Sequence, residues 1–165
     1  MRPYHIAYEH PTQLLASTFL RGIAVGDHGV VWERLSRESR GLLEGRYAST
    51  VRIALHRAAA VGAEVGDARL AEVVGPICAA ALAVIGGPAR LLTTGVSAAR
   101  LVDRGTAYVL LLPEFGEERI VREDEWRPAH LLAFVHESRE WLVDLGRTAE
   151  LSTDAGLPDP LGQLK

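Results

Sequence analysis

Residues 126–146, WRPAHLLAFVHESREWLVDLG, decide the fold class, because two β-periodic runs meet there across a gap of two residues. Arg127 to Glu137 and Glu140 to Leu145 flank Ser138-Arg139, and the second run puts Trp141, Val143 and Leu145 on one face with Leu142 and Asp144 on the other. That pattern predicts a hairpin. Upstream, AARLVDRGTAYVLLL (98–112) uses the same device: Val96 to Asp103 alternates, Asp103-Arg104-Gly105 supplies a tight turn, and Thr106 to Leu112 resumes with valine, tyrosine and leucine. Four runs joined in sequence predict an antiparallel meander. Between the two pairs lies PEFGEERIVREDEWR (113–127), the most charged stretch of the chain, which reads as a solvated connection.

Residues 11 to about 85 follow a helical period instead. Pro11 suits a first helical position, and Leu14, Leu15, Thr18, Phe19, Gly22 and Ile23 recur on one face until Gly26 stops the turn. Asp27 is placed to cap a second helix with Val31, Trp32 and Leu35 inward, and Ser36 to cap a further turn carrying Leu42 and Leu43 before Gly45. Tyr47, Val51, Ala54, Leu55 and Ala58 define a third helix. From Asp67, a further expected cap, an apolar stripe runs from Leu70 to Ile85, and Gly75-Pro76 is expected to kink or split it. The fold class that follows is α+β, with N-terminal helices packed on a sheet formed by the C-terminal half. A single domain is expected over 11–148, between a flexible terminus at 1–10 and a loosely held tail at 149–165 rich in proline and glycine.

Composition narrows the function classes. The 48% hydrophobic and 24% charged content is that of a globular protein with one core, and a net charge of -3 offers no basic stripe for nucleic acid. The opening MRPYHIAYEHP has no signal-peptide pattern, and no uninterrupted apolar run reaches membrane-spanning length, so no membrane partner and a cytoplasmic location are expected. Cys78, the sole cysteine, sits in an apolar segment and reads as a small buried hydrophobe. No metal is expected, because His5 and His10 lie in the terminus and no HExxH or clustered Cys/His spacing occurs. The absence of GxGxxG, Walker and GxSxG sequences points away from nucleotide cofactors and serine hydrolysis, so no cofactor is expected.

FLRGIAVGDHGVVWERLSRESRGLL (19–43) runs a helix into a Gly-Asp turn and a tryptophan-bearing second helix. Together with 98–112 and 126–146, it resembles the NTF2-like (SnoaL/ketosteroid-isomerase-like) superfamily, in which a curved sheet forms a cone around a helix. The chain departs from that pattern in the extra helical segment at 67–85. The resemblance implies a pocket between the concave sheet face and the helices, lined by apolar and aromatic side chains, and a homodimer. If the face bearing His130 points inward, His130, Tyr108 and Asp144 converge as base, hydrogen-bond donor and orienting carboxylate; if it points outward, the set dissolves. Trp32, Tyr47, His56, Trp126 and Phe134 are the expected ligand contacts. Asp27 and Asp103 are explained by capping and turn formation. Two functions follow: a non-catalytic protein holding a small apolar or aromatic metabolite or a partner segment in the cone, or a cofactor-independent isomerase, dehydratase or cyclase.

Overall fold

The structure, a computed structural model, describes residues 9–63, 68–112 and 129–162. Expectations for the terminus before Glu9, the cap at Asp67, the 113–127 stretch and Trp126 lie outside those residues. The protein is α+β: N-terminal helices pack on a curled antiparallel sheet, a half-barrel, made by the C-terminal half.

Helix α1 (Pro11–Val25) starts at a capping box in which His10 and Gln13 satisfy each other's backbone donors, and it stops where Gly26 takes a left-handed conformation. Asp27 then caps α2 (His28–Glu33) by accepting the Val30 N–H at 3.1 Å. Ser36 caps α3 (Arg37–Val51), which runs straight through Gly45 and ends at Arg52, itself left-handed with φ 57°. Tyr47 and Val51 therefore belong to α3, and only α4 (Leu55–Ala63) is a separate element. Packing of α3 on its neighbours outweighs the glycine's helix cost of about 1 kcal/mol.

Helix α5 (Leu70–Ala81) continues through Pro76 without splitting, passes into a π-helical turn at Leu82–Gly86, and leads to the short α6 (Gly87–Leu92). A separate irregularity, the π-helical turn, sits at Leu82–Gly86. Contrary to the sequence expectation, the 23-residue run Leu70–Leu92, with mean hydropathy 1.9, is long and apolar enough by length and composition to cross a membrane. Its inner face, with Val73, Val74, Ile77 and Ile85, belongs to the hydrophobic core.

The sheet follows the predicted meander. Strand β3 (Thr106–Leu112) pairs on one edge with β1 (Gly95–Val96) and β2 (Arg100–Asp103), and on the other with β4 (His130–Glu137), which pairs with β5 (Glu140–Val143). The run from 96 to 103 is thus broken at Ser97–Ala99, with a bulge near Val102. Ser138 and Arg139 both take positive φ, the backbone that a two-residue hairpin requires. One sheet face, with Val109, Leu132, Phe134 and Val143, packs on Phe19, Leu20 and Ile23 of α1 to form the core.

The span after Gly146 differs from the loose tail expected. Helix α7 (Leu145–Asp154) buries Leu145, Thr148, Ala149 and Ser152 and packs along β4. Beyond a reversal at Gly156, Leu161 is 2% exposed in the core, and a Cβ added at Gly162 would stand 2.9 Å from that of Ala80. Sparse apolar spacing hid this anchor, since one leucine after two prolines has no period. Leu161→Ala is expected to lower unfolding free energy by about 2–5 kcal/mol in urea melts, whereas a loosely held tail would give a change within about 0.5 kcal/mol.

Candidate functional site

Cross-strand register decides the fate of the expected convergent set. Tyr108 stands opposite Ala133 and His130 opposite Leu111, so along β3 and β4 the tyrosine and the histidine project from opposite faces. His130 shares the core face with Leu132 and Phe134, as the sequence suggested, but the tyrosine falls on the other side. The three residues do not meet.

Asp144 has a different task. It leaves β5 as the N-cap of α7, where Oδ1 accepts the Arg147 N–H at 2.8 Å. Its Oδ2 lies 2.7 Å from Ser36 Oγ, which in turn is 2.7 Å from Ser39 Oγ. A carboxylate only accepts, so the Ser36 proton goes to Asp144; Ser36 Oγ then accepts from Ser39 Oγ–H, and Ser39 Oγ accepts the Leu145 N–H at 2.8 Å. Thr148 Oγ donates to the Asp144 carbonyl at 2.6 Å and receives the Ala133 N–H at 3.0 Å. Both carboxylate oxygens are thus committed to holding helices, and the residue is buried. This network, joining residues 108 apart, was invisible to local sequence patterns.

His130 is 6% exposed, and its Nδ1 has no hydrogen-bond partner. A proton on Nε2 leaves a bare lone pair at Nδ1 rather than an unmet N–H, so the neutral ring is the form that the site accommodates. Burial accordingly lowers its pKa from the ordinary value. Elsewhere, burial pushes the Cys78 thiol up to about 11, which makes it an inert core residue. Burial also raises the Glu44 carboxyl, against the opposing pull of Arg40.

The remaining expected contacts are scattered. Trp32 and Phe134 are core side chains, and Arg40 lies 5.6 Å over the Trp32 ring. His56 is exposed on α4. Among the described residues, α1 packs on the sheet's core face, and two hollows lie elsewhere. One is a cleft of about 140 Å³ between α3 and α5, walled by Leu43, Tyr47 and Val51 on one side and Val73 and Pro76 on the other. Arg46, Thr50 and Glu72 bring polar groups to it. Among the described residues, Tyr47 is therefore the expected ligand contact that lines one of these hollows. Val51, the last residue of α3 before the left-handed Arg52, is 39% exposed there. A second, more open hollow lies near Gly26–Gly29 and Leu70. Among the described residues no group of three histidine, cysteine or acidic side chains is placed to hold a metal.

No protein-family model, curated protein or solved structure matches the chain.

The buried imidazole predicts a sign. With its folded pKa below the unfolded value of about 6.5, the unfolded chain binds the extra proton, so stability is lost as pH falls from about 6.5 toward the folded pKa and levels off below it. His130→Leu is expected to remove one proton's worth of that slope in urea melts at stepped pH. An imidazole midpoint at or above 6.5 in an NMR titration of the wild-type protein would refute the assignment.

Proposed function

We propose that this protein is a distant NTF2-like protein that binds without catalysing, and that it holds one small apolar or aromatic group in the cleft between α3 and α5. The helix-on-curled-sheet order supports the first part. The observation that carries the second is the cleft itself: apolar walls with Tyr47 inside and a few polar groups at the edge are the usual make-up of a recognition site. Its size sets what it takes. At about 140 Å³ it compares with cavities of about 150 Å³ that accept benzene, and falls short of the roughly 300 Å³ at which drug-sized ligands begin. One aromatic ring or branched side chain fits, whether on a small metabolite or on a partner segment.

The acid/base alternative draws less support. An enzyme of that type needs its base, donor and carboxylate around one substrate, whereas His130 and Tyr108 project from opposite sheet faces and Asp144 is consumed in capping. A cytoplasmic location remains part of the proposal, resting on the sequence alone.

Titration of 15N-labelled protein with toluene tests the reading. Saturable shifts of the Tyr47, Thr50 and Val73 amides are expected, with a Kd on the order of 1 mM for so small a ligand. Thr50→Trp, an exposed position at the cleft edge, should abolish them. Shifts centred on Phe134, or none that saturate, would overturn it.

A further inference from the structure

The cleft between α3 and α5 carries one formal charge of each sign, and each comes from a different wall. Arg46 belongs to α3 and Glu72 to the first turn of α5, and both line the hollow. They do not neutralise each other: among the described residues, neither side chain has an ion-pair or hydrogen-bond partner. The positions three and four residues from Arg46 on α3 are Leu42, Leu43, Ser49 and Thr50, so no acidic neighbour on its own helix accounts for it either. The helix dipole favours an acidic residue in a first turn. That accounts for Glu72 on α5 but not for its sharing a slot with an unpaired guanidinium.

A ligand in so small a space meets both charges. A carboxylate alone would gain Arg46 and be repelled by Glu72, an amine alone would meet the reverse, and an uncharged ring would leave both without a partner. A molecule with a carboxylate and an ammonium on one carbon, next to an apolar side chain, satisfies the whole lining. Thr50 adds to the acceptor side: its hydroxyl donates to the Arg46 carbonyl at 2.9 Å, so toward an ammonium its oxygen can accept. The apolar part of the cleft is the side chain's space. About 140 Å³ takes one branched or aromatic group and leaves a charged head group at the polar edge.

We propose that the α3–α5 cleft binds a free apolar α-amino acid, with its carboxylate on Arg46, its ammonium on Glu72 and its side chain among Leu43, Tyr47 and Val73. This rests on the reading that the cleft is the binding site. It selects a free metabolite over a partner segment, since a residue inside a polypeptide has neither head-group charge. Arg46 is half-buried and Glu72 exposed, so the two charges contribute selection more than affinity.

Probes that share an isobutyl group test it by titration of 15N-labelled protein at neutral pH. They are L-leucine, isocaproate, which lacks the ammonium, isoamylamine, which lacks the carboxylate, and N-acetyl-L-leucinamide, which lacks both charges. Leucine is expected to give saturable shifts of the Tyr47, Thr50 and Val73 amides, and each of the others to bind at least about threefold more weakly. Arg46→Gln should weaken leucine about threefold or more and leave isoamylamine no weaker; Glu72→Gln should do the same to leucine and leave isocaproate no weaker. Unchanged amide spectra outside the cleft verify the fold of both variants. Binding of any single-charge analogue or of the neutral amide as tight as that of leucine would overturn the proposal, as would charge variants that bind leucine like the wild type. If toluene occupies the cleft and leucine does not, the amino acid falls while the cleft reading stands. If toluene fails too, both fall.

Discussion

Beside the packing of α1 on the sheet, a buried hydrogen-bonded junction ties the helical half to the sheet half. At that point the Ser36 N–H donates to the Val143 carbonyl at 2.8 Å and the Val143 N–H donates to the Arg34 carbonyl at 2.7 Å, so the α2–α3 turn lies beside β5 as a single parallel bridge. Ser36 starts α3 and Asp144 starts α7, and their side chains are hydrogen-bonded to each other. Two helix N-termini therefore converge on one buried carboxylate, whose charge is met by a hydroxyl, a backbone N–H and the favourable ends of two helix dipoles. With that anchor in place α1 lies along the inner sheet face, α7 returns along β4, and Leu161 reaches the core.

Among the described residues, α1 rather than a hollow occupies the sheet's inner face. Phe19, fully buried, packs with Leu132 and Phe134 in the volume that an open cone would leave for a ligand. A small cleft lies instead in the helical layer, between α3 and α5. His130 then reads as a core residue at the start of β4 whose neutral form the packing selects, which makes it a source of acid sensitivity.

Much of the architecture was legible from local signals. The stop at Gly26, the caps at Asp27 and Ser36, and both hairpins rest on interactions within a few residues, and each stands where its sequence pattern put it. What local patterns missed depends on distant partners. Gly45 did not end α3 because packing outweighed propensity, and Pro76 did not split α5. LGRTAELSTD carries few apolar residues and so gives only a weak stripe; its helix is fixed by the Asp144 cap and by burial against β4. Of the candidate site, the alternation along β3 and β4 was readable but the pairing register was not, and a shift of one residue is what separates a convergent His130 and Tyr108 from the divergent pair. Tyr47 does line a hollow, though one between α3 and α5 rather than on the sheet.

A double-mutant cycle on Ser36 and Asp144 tests the junction most directly. Ser36→Ala, Asp144→Asn and the double variant, each unfolded in urea at neutral pH, should give single losses of about 1–3 kcal/mol and a coupling of about 1–3 kcal/mol between them. Additive losses, equal within about 0.5 kcal/mol to the sum of the singles, would mean that the two caps act separately and that something else holds the helices to the sheet.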